Sequence, residues 1–488
     1  MMQLLPALRK TFSLDVRSVA LFRVGVGGMI MLDLLLRIRD LGAHYTDEGI
    51  LPRESVSAWI WNTDLYSLHM LGGEIGLQIF LFLVAGGMAG LLLVGKWPKL
   101  SLLLSWVLLL SLHARNPVIL DGGDVLLRSL IFWLLFIPLS TPVSTKPVAA
   151  PSYQLFSVAT VAMFIQIMCV YLFSGWLKTG ETWQNGTAVY YVMNLDMHTT
   201  GLGKQLLSFP TLMESITNLT VWIERWAVLL LLLGGLHVYI RYASVLLFIS
   251  LHLGFALTLK LGLFPFIGML CWLIFLPPHF WEKGLGKHLL FIVATKPSGF
   301  MKKLDQQAYS WAFRVGKFFQ TGLTLFSLYL MLGWNALSVG KEYLSPSLDP
   351  VVMKLGLNQN WNLFSPDPIR NDGWYVVVGV GEEGSYDYWN LQDVSFLKPA
   401  SVSSTYRNQR WRKYWKQIKK RRYKELKPYL GRYFCQQERD ILGGNAPDSL
   451  HIYYMQERSM PFGQEIEVKS RVLWASSCPQ PINKEGNP

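Results

Sequence analysis

The chain has 488 residues, is 51% hydrophobic and only 16% charged, and carries a formal net charge of +13. Soluble globular proteins hold roughly 25% charged residues, so this chain has too few to coat a water-facing surface, and a wholly soluble enzyme is excluded. Its four cysteines show no C-x-x-C spacing, which argues against a metal centre, and its basic excess suits cytoplasmic loops and lipid headgroups rather than nucleic acid.

A bilayer core takes roughly 20 apolar residues per helix, and runs of about that length recur about nine times. They lie near 18–37, 76–94, 99–115, 125–141, 153–177, 219–240, 242–260, 261–281 and 318–338. Arg9, Lys10 and Arg17 precede the first. Lys96 and Lys99 join the second to the third, Lys146 the fourth to the fifth, and Arg241 the sixth to the seventh. Lys283, Lys287, Lys296, Lys302, Lys303, Arg314 and Lys317 crowd the link between the eighth and ninth. All of these fall on one side if the N-terminus is cytoplasmic. The expected fold is therefore mainly α: a polytopic membrane bundle over 1–340, and a periplasmic or extracellular β-rich α+β domain over 345–488.

Two outer loops, 41–73 and 178–217, separate the spans. From 345 the texture changes. The stretch "GWYVVVGVGEEGSYDYWNLQDVSF" alternates β-branched and aromatic residues around glycine turns and predicts strands. Cys435 and Cys478 fall in this region, where an oxidising compartment permits a disulfide; two free thiols is the other reading. The segment near 407–427, "YRNQRWRKYWKQIKKRRYKEL", keeps Trp411, Trp415, Ile418 and Leu426 on a helical stripe. It either rests on a membrane surface or packs on the strand domain with its charges in water.

Ionisable groups inside apolar spans are costly, and each marks a candidate functional position. Arg23 is expected to pair with Glu224 or Asp33, and Asp33 with Arg37 as a local surface pair. His252, mid-span, either bonds a neighbouring helix or ligates a substrate's polar atom. In "HARNPVILDGGDVLLR" Asp121 and Asp124 flank a Gly-Gly turn and read as caps rather than metal ligands. No charged residue occurs from Pro147 to Leu177, and then Lys178 follows in "CVYLFSGWLKTGETWQNG". It is either a snorkelling charge at the bilayer rim or an amine held in a pocket. Ser174 and Gly175 allow close approach there, and Trp176 and Trp183 flank the lysine. In dry surroundings an amine sheds its proton readily and can serve as a base.

Four stretches, "DVRSVALFRVGVGGMIMLDLLLRIRDLGAHYTDEGILPR", "ARNPVILDGGDVLLRSLIFWLLFIPLS", "FSGWLKTGETWQNGTAVYY" and "LNQNWNLFSPDP", resemble the horizontally transferred transmembrane (HTTM) domain family. That family includes vitamin K-dependent gamma-carboxylase and bacterial relatives. The resemblance puts Lys178 on the family's catalytic lysine and His252 on a family histidine. Asn116 falls on the asparagine of an Asn-His pair whose histidine is here Pro117. It implies a membrane carboxylase of the lyase class, in which Lys178 deprotonates a reduced, vitamin K-like quinone while His252 and Asn116 orient it beside Trp176 and Trp183. Oxygen addition then yields a base strong enough to prepare a glutamate side chain for CO2. The implied partners are membrane lipid and a secreted peptide or protein substrate at the C-terminal domain. The rival reading is a non-catalytic membrane protein that binds lipid or quinone, or assists maturation of a secreted peptide. A transporter is disfavoured because no repeated halves are apparent.

Overall fold

The computed structural model describes residues 4–59, 66–139, 153–293, 311–382, 384–437, 446–461, 464 and 467–478. The basic positions Lys146, Lys296, Lys302 and Lys303 lie outside them. The described chain is mainly helical, with a four-stranded sheet in the C-terminal region and a short two-stranded pairing of Leu14–Asp15 with Gln154–Leu155.

Among the described residues, five helices are long and apolar enough to cross a membrane. They are α1 (Val16–Ile38), α2 (Ile75–Val94), α5 (Val158–Leu177), α6 (Pro210–Arg225, continued by short turns to Leu233) and α7 (Val238–Thr258). The other apolar stretches also fold as helices, but each departs from an uninterrupted span. Helix α3 (Pro98–Arg115) carries Lys99, His113 and Arg115. Helix α4 (Gly122–Leu134) has 13 residues, about 20 Å at 1.5 Å per residue, against a hydrocarbon core of about 30 Å. Helix α8 (Phe264–Leu273) starts on Pro265 and ends before the Pro277–Pro278 pair. Helix α9 (Trp311–Leu337) is 27 residues long, but Gln320, Thr321, Thr324, Ser327 and Asn335 interrupt its apolar run.

The strand-like texture after 370 folds as an antiparallel four-stranded sheet in the order β2-β1-β3-β4. The strands are β1 (Asn371–Gly381), β2 (Gly384–Asp387), β3 (Ser449–Arg458) and β4 (Val468–Ser477). Val377 faces Ile452 and Trp374 faces Met455 across the central pair. Cys435, at the end of α11 (Lys427–Cys435), is bonded to Cys478 just past β4, which staples helix to sheet.

The basic segment forms helix α10 (Gln409–Ile418), capped by the Asn408 side chain, which accepts from the amides of Arg410 and Trp411. Its stripe packs on protein. Trp411, Trp415, Ile418 and Leu426 are all buried, and Tyr375 on β1 stacks on Trp415 while its hydroxyl donates to the Trp415 carbonyl. The expectation that the charges of this helix sit in water needs correction, because Arg410 and Arg412 are buried as well. The physical reason is that α10 has two packed faces. Trp415 meets the sheet, Trp411 reaches His44 and Asp40 of the helical bundle, and the arginine side meets that bundle where buried carboxylates and carbonyls receive it.

Arg410 makes the principal junction. Its guanidinium binds Asp33 of α1 (2.7 Å) and both oxygens of Asp124 at the start of α4. Arg37 binds the same two carboxylates, at 2.8 Å to Asp33 and 2.6 Å to Asp124, and also donates to the Tyr45 hydroxyl. Two carboxylates and two guanidiniums thus close a quartet with no net charge, as burial demands. The Asp33–Arg37 pair is therefore buried rather than at the surface. Arg23 is not ion-paired to Glu224 or Asp33 either: its guanidinium donates to the Leu92 and Leu93 carbonyls at the end of α2. The Leu92 carbonyl also receives the Gly95 amide, and a cation suits the carbonyl-rich C-terminal end of a helix.

Candidate functional site

The C-terminal end of α5 sets the site. Tyr171, Ser174 and Lys178 follow at spacings of three and four, which places them on one helix face. Lys178 is buried, and its Nζ donates to Glu224 Oε2 (2.5 Å) and Ser174 Oγ (2.8 Å) and lies 5.1 Å from the centre of the Trp183 ring. Glu224 reaches it from α6 because Gly175 lets the helices approach closely; a Cβ there would stand 3.0 Å from the Arg225 amide nitrogen. Arg225 then donates to the carbonyls of Gly175 and Lys178, tying off the end of α5. A rim-exposed lysine is thus not what is found. The amine is held in a pocket, and there it is bonded to a buried carboxyl group, that of Glu224.

His252 is buried mid-way along α7. Its Nε2 lies 2.8 Å from the Tyr171 hydroxyl, which also accepts from Trp272 Nε1 at 2.6 Å. Room for the ring comes from Gly268 on α8, where an added Cβ would meet the imidazole at 2.2 Å. The other ring nitrogen, Nδ1, is buried and has no hydrogen-bond partner among the described residues.

These groups border a cavity of about 740 Å³ between the bundle and the C-terminal region. Tyr171, Ser174, Glu224 and His252 line it from the membrane helices, beside Val170, Phe255 and Phe264. A second wall is the loop 358–364, which includes Trp361 and Phe364. That loop is held by the bundle: Arg128 donates to the Gly356 and Asn358 carbonyls, and Gln359 bonds Gln166 and Ser129. It is clipped to the turn after α5 through Trp183 Nε1 to the Phe364 carbonyl, and through Asp367, which accepts from Thr182. The stretches "FSGWLKTGETW" and "LNQNWNLFSPDP", far apart in sequence, are therefore one structural unit. A third wall is α10 with Arg412, Lys413 and Lys416, next to His198.

The site residues expected from sequence divide accordingly. Lys178 and His252 belong to this assembly, His252 on the cavity surface and Lys178 behind Glu224. Trp183 packs on Lys178 and holds the loop. Trp176 is 47% exposed and points away from the cavity-lining set, so its expected pocket role is corrected. One step along the helix from Gly175 turns it to the outer face, where an aromatic side chain suits lipid. Asn116 is buried, donates to the His44 carbonyl (2.9 Å) and lies outside the lining set, although its neighbour Pro117 borders the cavity. Its expected place beside the substrate is corrected on that geometry.

Sequence reading missed Tyr171, Glu224 as the partner of Lys178, and the basic wall. Tyr171 was legible in principle, seven residues before Lys178 on the same face. The basic wall was not, since only the tertiary fold turns α10 inward.

Asp33, His113 and Asp124 also bring three donor atoms within 4.8 Å of one another. Both carboxylates already receive Arg37 and Arg410. A dication there would face two guanidiniums, so this donor set reads as part of the quartet. Asp121, at the turn, accepts from the Gly123 amide and from Gln409 Nε2, and with Asp124 completes a reciprocal cap on α4. Burial and the neighbouring Asp124 raise its pKa above the usual carboxylate range.

No family model, curated protein or solved structure matches the chain.

Proposed function

We propose that this chain is an integral membrane protein of the HTTM type whose cavity takes an aromatic alcohol of the reduced-quinone class, with proton transfer centred on Glu224 and Lys178. The observation that carries this reading is the orphaned His252 Nδ1, buried on the same cavity as the carboxylate that holds Lys178.

The residues fit such a group. Phe255, Phe264, Phe364 and Trp361 offer flat apolar faces, and an orphaned polar nitrogen in a dry wall needs a partner that a ligand hydroxyl supplies. With Trp272 donating to the Tyr171 oxygen, the Tyr171 proton is available to His252 Nε2. In that tautomer Nδ1 carries the ring proton and donates to an oxygen in the cavity. When bound, a reduced quinone supplies an acidic phenol and electrons for reaction with oxygen. Glu224 faces the cavity and accepts the phenolic proton, and Lys178 behind it holds the carboxyl group in position. Trp183 and the 358–364 loop exclude water from the pair.

Carboxylation of a glutamate side chain is the reaction class implied by the resemblance. The about nine-span topology, the cytoplasmic N-terminus and the external C-terminal domain complete this proposal; the one-sided basic loops and the Cys435–Cys478 bond support them.

The test uses the full chain in nanodiscs with a short-chain naphthohydroquinone, labelled bicarbonate and a Glu-rich peptide. Glu224→Gln and Lys178→Met are expected to lower incorporation about 100-fold or more, the scale of a lost general base. The double variant removes both charges together, so it remains folded yet inactive. His252→Ala is expected to weaken hydroquinone binding. Incorporation that is absent with every acceptor, or independent of Lys178, ends the carboxylase version. Hydroquinone binding indifferent to His252 ends the cavity reading and leaves the non-catalytic alternative.

A further inference from the structure

The third wall of the cavity has no role in that chemistry. Arg412 and His198 on it are each less than one-tenth exposed. Arg412 uses Nη1 on the Met197 carbonyl (3.0 Å), but among the described residues its Nη2 has no partner, and neither ring nitrogen of His198 has one. Lys413 and Lys416, half-buried one helical turn apart, border the same space, and among the described residues neither has an ion-pair partner. Asp121, a carboxylate on this cavity held by the Gly123 amide and by Gln409, faces Arg412 and Lys413 with a single negative charge, which leaves the wall basic. Three basic side chains and an imidazole thus converge beside an apolar enclosure, with Arg412 Nη2 and both His198 nitrogens unspent among the described residues. Leaving buried donors unmade is costly, and buried cations need a counter-charge.

We propose that this wall is an anion subsite that takes a phosphate-bearing ligand, its head on Arg412, Lys413, Lys416 and His198. Three cationic side chains suit a dianionic head better than a single carboxylate, which would leave the wall with excess charge. The planar Arg412 fork and the two flexible ammoniums together match a tetrahedral oxyanion. Burial, followed by the charge of Lys413, pushes the Lys416 pKa down to about 7, and an anion beside it favours the charged form. The proposal rests on the cavity being a ligand site, and adds a second ligand to the neutral one assigned to its membrane-helix wall.

The experiment is binding to the full chain in uncharged detergent, read by the fluorescence of Trp334 and Trp361, both on the cavity. The probes are dodecyl phosphate, dodecanoate, inorganic phosphate and the naphthohydroquinone. Dodecyl phosphate is expected to bind about tenfold or more tightly than dodecanoate, and Lys413→Gln/Lys416→Gln to weaken it by a similar factor. The same variant should keep its Tm and its hydroquinone affinity. Displacement of dodecyl phosphate by inorganic phosphate assigns a free phosphate as the ligand, whereas its failure to displace assigns a lipid headgroup. Equal binding of dodecyl phosphate and dodecanoate, or phosphate binding untouched by the double substitution, overturns the proposal. Failure of hydroquinone binding alone sinks the previous reading and leaves this one standing.

Discussion

Asp372, the second residue of β1, shows how a single buried group ties stability to pH. Its Oδ2 accepts from the Met197 amide at 2.9 Å. Burial raises its pKa to about 6, despite the backbone amides of Met197 and Gly373 and the more distant Lys419. The folded state therefore holds this proton more tightly than the unfolded chain does. Its stabilising contribution is full below the ordinary carboxylate range and is lost as pH rises through about 6. Asp372→Asn keeps an oxygen for Met197 and removes the charge. It is expected to raise stability by about 2 kcal/mol at pH 7.5 and by much less at pH 4.5. Thermal unfolding at the two pH values checks this, and an equal shift at both refutes it. At this scale the sequence was partly legible. Lys178 and His252 stood out because charge and imidazole are rare in apolar runs. Glu224 looked like a partner for Arg23, since sequence carries no sign of which helix lies beside which.

Helix α10 illustrates what periodicity reveals and what it hides. The Trp411, Trp415 and Ile418 stripe announced one apolar face. The opposite face reads as solvated from sequence, since most basic runs are. Only the fold supplies Asp33 and Asp124 as receivers for Arg410, and the cavity as the surroundings of Lys413 and Lys416. Arg410→Ala leaves two buried carboxylates sharing Arg37 and is expected to destabilise the protein by about 3–5 kcal/mol. Adding Asp33→Asn should recover part of that loss by restoring a neutral set. Thermal unfolding in detergent distinguishes this from a surface role, in which neither change would exceed about 1 kcal/mol. The membrane helices were more readable than α10. A long apolar run identifies itself by composition, whereas α3, α4, α8 and α9 are shortened or interrupted by charged, polar or proline residues that a hydropathy window averages away.

Across the whole molecule, the 345–488 region and the bundle share one cavity, one charged quartet and the clipped 356–367 loop. The disulfide from Cys435 to Cys478 closes the outer edge of this unit. Replacing both cysteines with serine is expected to cost about 4 kcal/mol at most, given the loop between them. In intact cells, a membrane-impermeant maleimide should label these two only after an external reductant. Labelling without reductant, or only after lysis, contradicts an external C-terminal domain. The boundary near 340 was visible as a change of texture, but its tightness was not, because the contacts that cross it join residues hundreds of positions apart.

The quartet also has a consequence for biosynthesis. Asp33 and Asp124 leave the ribosome long before Arg410 is made, and until then Arg37 alone answers for both carboxylates. Until then the early helices hold one carboxyl group too many, which burial would keep protonated. Only when the last quarter of the chain arrives does that excess vanish, so a truncated product would carry its own mark for disposal.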